Sequence, residues 1–142
     1  MAEPLKKAAR SRKPAKVAVP DTLLKKIGLI REGVTKDRVL DIKEDIEIDY
    51  DQLSRILAVS RATITAKKKD GKFKPDASER ILHLNDVIRL GHQVFGERPA
   101  FNLWLKSPSK ALGNISPLSV MDTIYGIEEV KKEILRITHG VF

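Results

Sequence analysis

Few side chains in this sequence suit bond-making chemistry, and their spacing argues against catalysis. There is no cysteine, which removes disulfides, thiolate nucleophiles and cysteine-ligated metals. The three histidines, His83, His92 and His139, fall in no H-x-x-x-H or comparable metal spacing. No glycine-rich phosphate loop is present. Asp and Glu mostly interleave with Lys and Arg on the expected helix faces, the pattern of solvated surfaces. His83 reads as a packed or half-exposed helix residue. Phe101, Trp104 and Leu105, spaced i, i+3, i+4, read as core. The expectation is a protein that is not an enzyme and needs no metal or cofactor.

The chemistry that is present is charge recognition. The 142 residues carry a formal net charge of +8, which favours a polyanionic partner. The charge is segregated. Residues 1–20 hold six Lys/Arg against Glu3, and residues 61–74 hold six against Asp70. Residues 36–52 hold seven acidic side chains against three basic ones. A basic patch beside an acidic stretch suits a module that lays one face on phosphates. If Ile64 points inward, a rotation of 100° per residue puts Ala62, Ala66 and Lys69 on the opposite face, flanked by Thr63 and Thr65. Small Ala and Thr side chains let a helix lie close in the major groove and meet thymine methyls. Arg61 suits a guanine or a phosphate. Lys67, Lys68, Lys72 and Lys74 suit phosphates, which position without specifying.

These residues need elements to hold them. Residues 1–20 lack periodicity and read as a basic disordered tail, either solvated or tracking along DNA. Asp21 is expected to cap a first helix with Leu23, Leu24, Ile27 and Ile30 inward, ending at Glu32-Gly33. Thr35 is expected to cap a second, with Val39, Leu40, Ile42 and Ile46 inward. Asp49 and Gln52 form a capping box, with Ile48 and Leu53 as a hydrophobic staple. Ser60 caps the next helix, with Val59 and Ile64 as a second staple. Two short helices joined by Ala58 to Ser60 have the spacing of a helix-turn-helix. Ala58 stands where that motif usually has glycine, and Lys67 where it usually has an apolar residue. Asp70-Gly71 marks a turn. A long helix over about 76–95 follows, with one stripe of Ile81, Leu84, Ile88, Gly91 and Phe95 and an adjacent one of His83, Val87, Leu90 and Val94. A stripe that wide suits burial against two neighbours.

The last forty or so residues fall into three amphipathic pieces. The first ends at Leu105, before Lys106-Ser107-Pro108. Gly113 and Asn114 suit positive φ in a compact loop. Ser116-Pro117 opens the second piece with an N-cap and a proline suited to the first helical position. The third spans about Ile127 to Ile137, with Ile127, Val130, Ile134 and Ile137 buried, and stops at His139-Gly140. The chain then ends on two apolar residues, Val141 and Phe142, which either fold back or meet a partner.

Trp104-Leu105, Pro108, Leu112-Gly113, Pro117-Leu118, Thr123, Gly126, Val130, Leu135, Ile137 and His139-Gly140 stand in one fixed order. From about Leu90 onward the chain resembles the toxin-binding domain of Xre/MbcA/ParS-type antitoxins, whose partners are RES-domain toxins. Asn114 stands where the family usually has a second glycine. The resemblance implies an all-α chain in two parts. Residues 21–89 would be an Xre-like helix-turn-helix domain for DNA binding and homodimerisation, and 90–142 the toxin-binding domain. It implies an antitoxin that neutralises a RES-domain toxin, which consumes NAD, by occluding its active site. It also implies repression of the antitoxin's own operon, with the chain bound to operator DNA as a dimer. The expected DNA-binding residues are Arg61, Ala62, Thr63, Thr65, Ala66, Lys67, Lys68, Lys69 and Lys72. Leu112, Gly113, Pro117 and Leu118 would dock the toxin. Arg136 and His139 would reach its pocket, with Gly140 redirecting Val141 and Phe142 into the pocket mouth. The alternatives are a stand-alone repressor with a C-terminal interaction domain, and an adaptor that leaves the basic stretch unused. No apolar run reaches the ~18 residues of a membrane span and no secretory core follows the basic start, so a cytoplasmic location is expected.

Overall fold

Asp49 and Gln52 set the first clear boundary in the chain. The Asp49 side chain accepts from the Gln52 N–H at 2.8 Å, and the Gln52 side chain accepts from the Asp49 N–H at 3.0 Å. This reciprocal cap starts a helix at Tyr50. The computed structural model describes residues 23–140. The tail over 1–20, the Asp21 cap and Val141-Phe142 lie outside the described residues. Within them the α-helices are α1 (Leu23–Glu32), α2 (Lys36–Asp45), α3 (Tyr50–Leu57), α4 (Arg61–Ala66), α5 (Pro75–Phe95), α6 (Arg98–Lys106) and α7 (Ile124–Thr138). Two short 3-10 turns, Lys110–Leu112 and Pro117–Val120, sit between α6 and α7. The chain is all-α: no strand occurs among the described residues, and extended pairing is limited to isolated bridges, Thr35 with Lys72 and Ser109 with Ile115.

The long helix α5 is the spine. It packs against α1 and α3 on the N-terminal side, and against α6 and α7 on the C-terminal side. Its buried Ala77, Ile81, Leu82, Leu84, Val87 and Ile88 therefore belong to a core shared by both halves. Val39, Ile42, Ile46, Leu53, Leu57 and Ile64 close that core from one side, and Phe101, Leu105, Met121, Ile127, Val130 and Ile134 from the other. Each large apolar side chain buried this way contributes roughly 1.5–3 kcal/mol. Phe101, fully buried, packs its ring among His92, Phe95 and Trp104 at centroid distances of 5.4, 5.5 and 6.1 Å. Polar ties cross between the halves as well. Asn102 Nδ2 donates to the Asp45 carbonyl at 3.0 Å, Lys106 Nζ to the Glu47 carbonyl at 2.7 Å, and Arg80 to the Asp122 carbonyl at 2.8 Å.

Several expectations are corrected here. On α1, Leu23 and Leu24 are 72% and 80% exposed, while Leu29 and Ile30 pack on the core. The helix rests on α5 by its later face, fixed by the Lys26–Asp86 ion pair at 3.0 Å. Thr35 precedes α2 in an extended conformation but makes no side-chain cap. The first α2 amides are satisfied from the loop after α4: Lys36 N–H donates to the Gly71 carbonyl at 2.9 Å and Asp37 N–H to the Lys69 carbonyl at 3.0 Å. Finally, α7 begins at Ile124, three residues before the expected start, because Thr123 caps it by accepting from the Gly126 N–H at 2.9 Å.

Candidate functional site

The first candidate surface is built on α3 and α4. Ser60 caps α4 by accepting from the Thr63 N–H at 3.1 Å, and Ile64 is fully buried. That register leaves Arg61, Ala62, Thr63, Thr65 and Ala66 exposed on the outer side, as the helical rotation anticipates. Ala58, at the turn between the helices, holds φ 56° and ψ 40°, the left-handed region that glycine usually supplies there. Arg61 pairs with Asp51 at 3.0 Å and lies 5.9 Å from the Tyr50 ring, so α3 holds the guanidinium outward. Thr65, exposed, turns its hydroxyl back to the Arg61 and Ala62 carbonyls.

The basic run is placed differently from the helical expectation. α4 ends at Ala66, and Lys67 is extended at φ −72° and ψ 149°. Lys69 therefore lies on a loop, off the helix face. Lys67 is half-buried, with its ammonium 5.0 Å from the Phe73 ring and bonded to the Lys72 carbonyl at 3.0 Å. Its aliphatic stem takes the place of the apolar residue usual in the motif. Lys72 pairs with Glu32 at 3.3 Å, while Lys68, Lys69 and Lys74 are exposed.

A residue that sequence reasoning missed holds this loop in place. Lys36, only 9% exposed, sends its Nζ under α4 to the Lys67 carbonyl at 2.8 Å and the Thr65 carbonyl at 3.2 Å. A cation at the C-terminal end of a helix satisfies carbonyls left without amide partners. With the two α2 amides bound to the same loop, the basic segment is strapped at four points. No sequence signal marks Lys36, because its partners lie 29 and 31 residues away.

The second candidate surface lies between α6 and α7. Gly113 and Asn114 take φ 79° and 66°, as anticipated, and close a loop in which Ser109 N–H donates to the Ile115 carbonyl at 2.9 Å and Asn114 N–H to the Ser109 carbonyl at 2.8 Å. Pro117 and Leu118 are buried in the chain's own core, so their side chains are removed from the outer surface. Leu112 is partly exposed and Gly113 exposed. The apolar surface here includes Ile115, Ile124 and above all Tyr125, which is 77% exposed. Gly126 is required by a close approach: a Cβ there would stand 1.6 Å from the Val120 carbonyl oxygen. At the end of α7, Arg136 pairs with Glu133, and both Arg136 and His139 are exposed. Gly140 follows with φ 73°, turning the chain off the helix axis.

His83 joins the two surfaces' supports, 3.3 Å from Glu128 on α7 and 4.0 Å from Glu79. His92 has its pKa lowered from 6.5 because burial disfavours the imidazolium, with Asp45 pulling it up and Arg98 pushing it down. No group of three or more His, Cys, Asp or Glu among the described residues is placed to hold a metal ion. No helix among them is long and apolar enough to cross a membrane.

Comparison with known proteins adds to this geometry. Residues 26–86 match the antitoxin Xre-like helix-turn-helix domain, and residues 90–140 match the antitoxin Xre/MbcA/ParS C-terminal toxin-binding domain. The chain is 31% identical over 115 residues to antitoxin Xre of Yersinia enterocolitica, covering 80% of this chain and 78% of that one. It is 31% identical over 130 residues to the Prs ADP-ribosylating antitoxin of Sphingobium sp., covering 82% and 80%. Antitoxin Xre of Photorhabdus laumondii is 36% identical over 72 residues, about half of each chain.

Proposed function

The chain belongs to the Xre-type antitoxins, carrying their helix-turn-helix and toxin-binding domains, and on that basis we propose that it neutralises a RES-domain toxin and represses its own operon. One observation carries the reading: the helix-turn-helix with its strapped basic loop and the toxin-binding part share the single helix α5. One molecule then binds operator DNA and toxin together.

On DNA, α4 enters the major groove with Ala62, Thr63, Thr65 and Ala66 against base edges and Arg61 presented by Asp51. Lys68, Lys69, Lys72 and Lys74 neutralise phosphates, and Lys67 holds the loop as well as adding charge. A homodimer through the N-terminal half reads two half-sites. The exposed Leu23 and Leu24 on α1 offer apolar surface for the second copy. The toxin consumes NAD, by degradation or by ADP-ribosyl transfer; the Sphingobium relative carries ADP-ribosylation in its name. Neutralisation is occlusion. Leu112 and Gly113 sit on the docking side, Arg136 and His139 approach the anionic surroundings of the pocket, and Gly140 directs Val141 and Phe142 towards its mouth.

The test is co-expression with a candidate RES-domain partner, sought first in the neighbouring reading frames. The full chain, and a variant with Arg61→Ala and Lys69→Ala, are expected to restore growth. Deletion of Thr138 to Phe142 is expected to leave DNA binding intact and neutralise poorly. Full protection by the truncated chain overturns occlusion by the tail.

A further inference from the structure

We propose that the groove between the 3-10 turn Pro117–Val120 and the first turn of α7 is the anchor site for the toxin, receiving an apolar side chain with a basic residue beside it. This rests on the reading that the chain binds a RES-domain toxin. The groove measures about 340 Å³ and is walled by Leu112, Val120, Tyr125 and Gly126, with Asp122 and Glu129 at its polar edge. That volume is at the low end of small-ligand pockets, roughly 300–1,000 Å³, and suits one or two inserted side chains.

Four observations point to a protein occupant. Tyr125 is 77% exposed, and Ile115 and Ile124, on the segments that form the walls, are 46% and 38% exposed. Clustered apolar surface with a rigid aromatic is the composition of an interface centre. The walls are preformed: the Ser109–Ile115 bridge fixes the Leu112 loop, the Thr123 cap fixes the α7 start, and Gly126 against Val120 sets the floor. Little ordering remains for binding to supply. Of the two carboxylates in the lining, Glu129 pairs with Lys132 at 3.3 Å, while Asp122 is exposed and is met by Arg80 only at its backbone carbonyl. The open Asp122 carboxylate favours a positively charged neighbour for the apolar anchor. The groove also lies within residues 90–140, the part that matches a toxin-binding domain.

The experiment measures affinity of the full chain for the purified candidate RES-domain partner. Tyr125→Ala removes an exposed side chain and leaves the core intact. It is expected to bind about thirty-fold more weakly, the loss typical of a central interface residue. Asp122→Lys is expected to weaken binding at least about tenfold by facing the basic neighbour with like charge. Leu103→Ala, on α6 and 69% exposed, lies off the groove and is expected to bind like the parent. Parent-level binding by Tyr125→Ala overturns the groove and leaves the RES reading standing. So does an equal loss with Leu103→Ala, or a Tyr125→Ala effect confined to self-association. Failure of the parent chain to bind the RES-domain protein overturns the reading of the partner, and the groove with it.

Discussion

Replacing Lys36 with methionine isolates the brace beneath the recognition helix. Methionine keeps much of the length and volume of the stem and deletes the ammonium. Two bonds disappear, to the Lys67 carbonyl at 2.8 Å and to the Thr65 carbonyl at 3.2 Å. A hydrogen bond from a charged donor contributes about 1.5–3 kcal/mol. The two bonds share one ammonium, so the expected destabilisation is about 2 kcal/mol rather than the sum of two separate bonds. For a chain of this size that lowers Tm by about 4–8 °C. The six-residue α4 is far too short to stand without tertiary support. Its last turn and the Lys67–Lys69 segment should loosen, and operator affinity should fall about tenfold or more. Lys36 is 9% exposed and sits beneath the helix, so the phosphate contacts stay the same in number. The slope of log affinity against log salt should therefore match the parent's, with no loss of the roughly one unit that a missing phosphate contact would cost. Thermal melts and salt-titrated binding to a promoter fragment are the assays. An unchanged Tm refutes the brace. An unchanged Tm with a flatter salt slope would mean that Lys36 touches phosphate directly.

Lys68→Ala with Lys69→Ala should weaken binding to any DNA, with Tm almost unchanged. The same titration should show the salt slope flattening by about one unit for each phosphate no longer neutralised. Ala58→Gly should raise stability by up to about 1 kcal/mol in denaturant melts, because relief of the left-handed strain at φ 56° exceeds the added flexibility of the unfolded chain. For His92 the folded pKa is depressed below 6.5 by burial, so the unfolded chain takes up the proton first. Its contribution is fully present above about pH 6.5 and declines as pH falls towards the folded value; His92→Gln should flatten that decline in melts across about pH 4.5–7.5.

What is legible in the sequence is local. The Asp49–Gln52 box, the Ser60 cap, the Gly113-Asn114 turn and the Ser116-Pro117 start each depend on residues within a few positions of one another, and side-chain type decides them. The inward face of α1 differs from expectation because periodicity identifies an apolar stripe but not which part of it meets a neighbour. α4 ends at Ala66, short of Lys69: a local turn in which Gly71 N–H donates to the Lys68 carbonyl follows, and Lys36 and the α2 amides, distant in sequence, bind the carbonyls of the same segment. Pro117 and Leu118 lie buried, a placement set by packing between α6 and α7 that the Ser116-Pro117 cap by itself does not reveal. Tyr125 is legible in principle. It stands two residues before Ile127, about 200° around the helix from the buried Ile127–Val130–Ile134 stripe, which places an aromatic on the outer face.

On the reading proposed for its two surfaces, this antitoxin protects the cellular NAD pool through contact with a RES-domain toxin. NAD content tests that directly, in cells expressing the candidate RES-domain partner alone, with the full chain, and with the Tyr125→Ala chain, at matched protein levels. The expected result is depletion with the toxin alone, a preserved pool with the full chain, and depletion again with Tyr125→Ala. A pool that collapses in the presence of the full chain, or that the RES-domain protein alone leaves untouched, contradicts it.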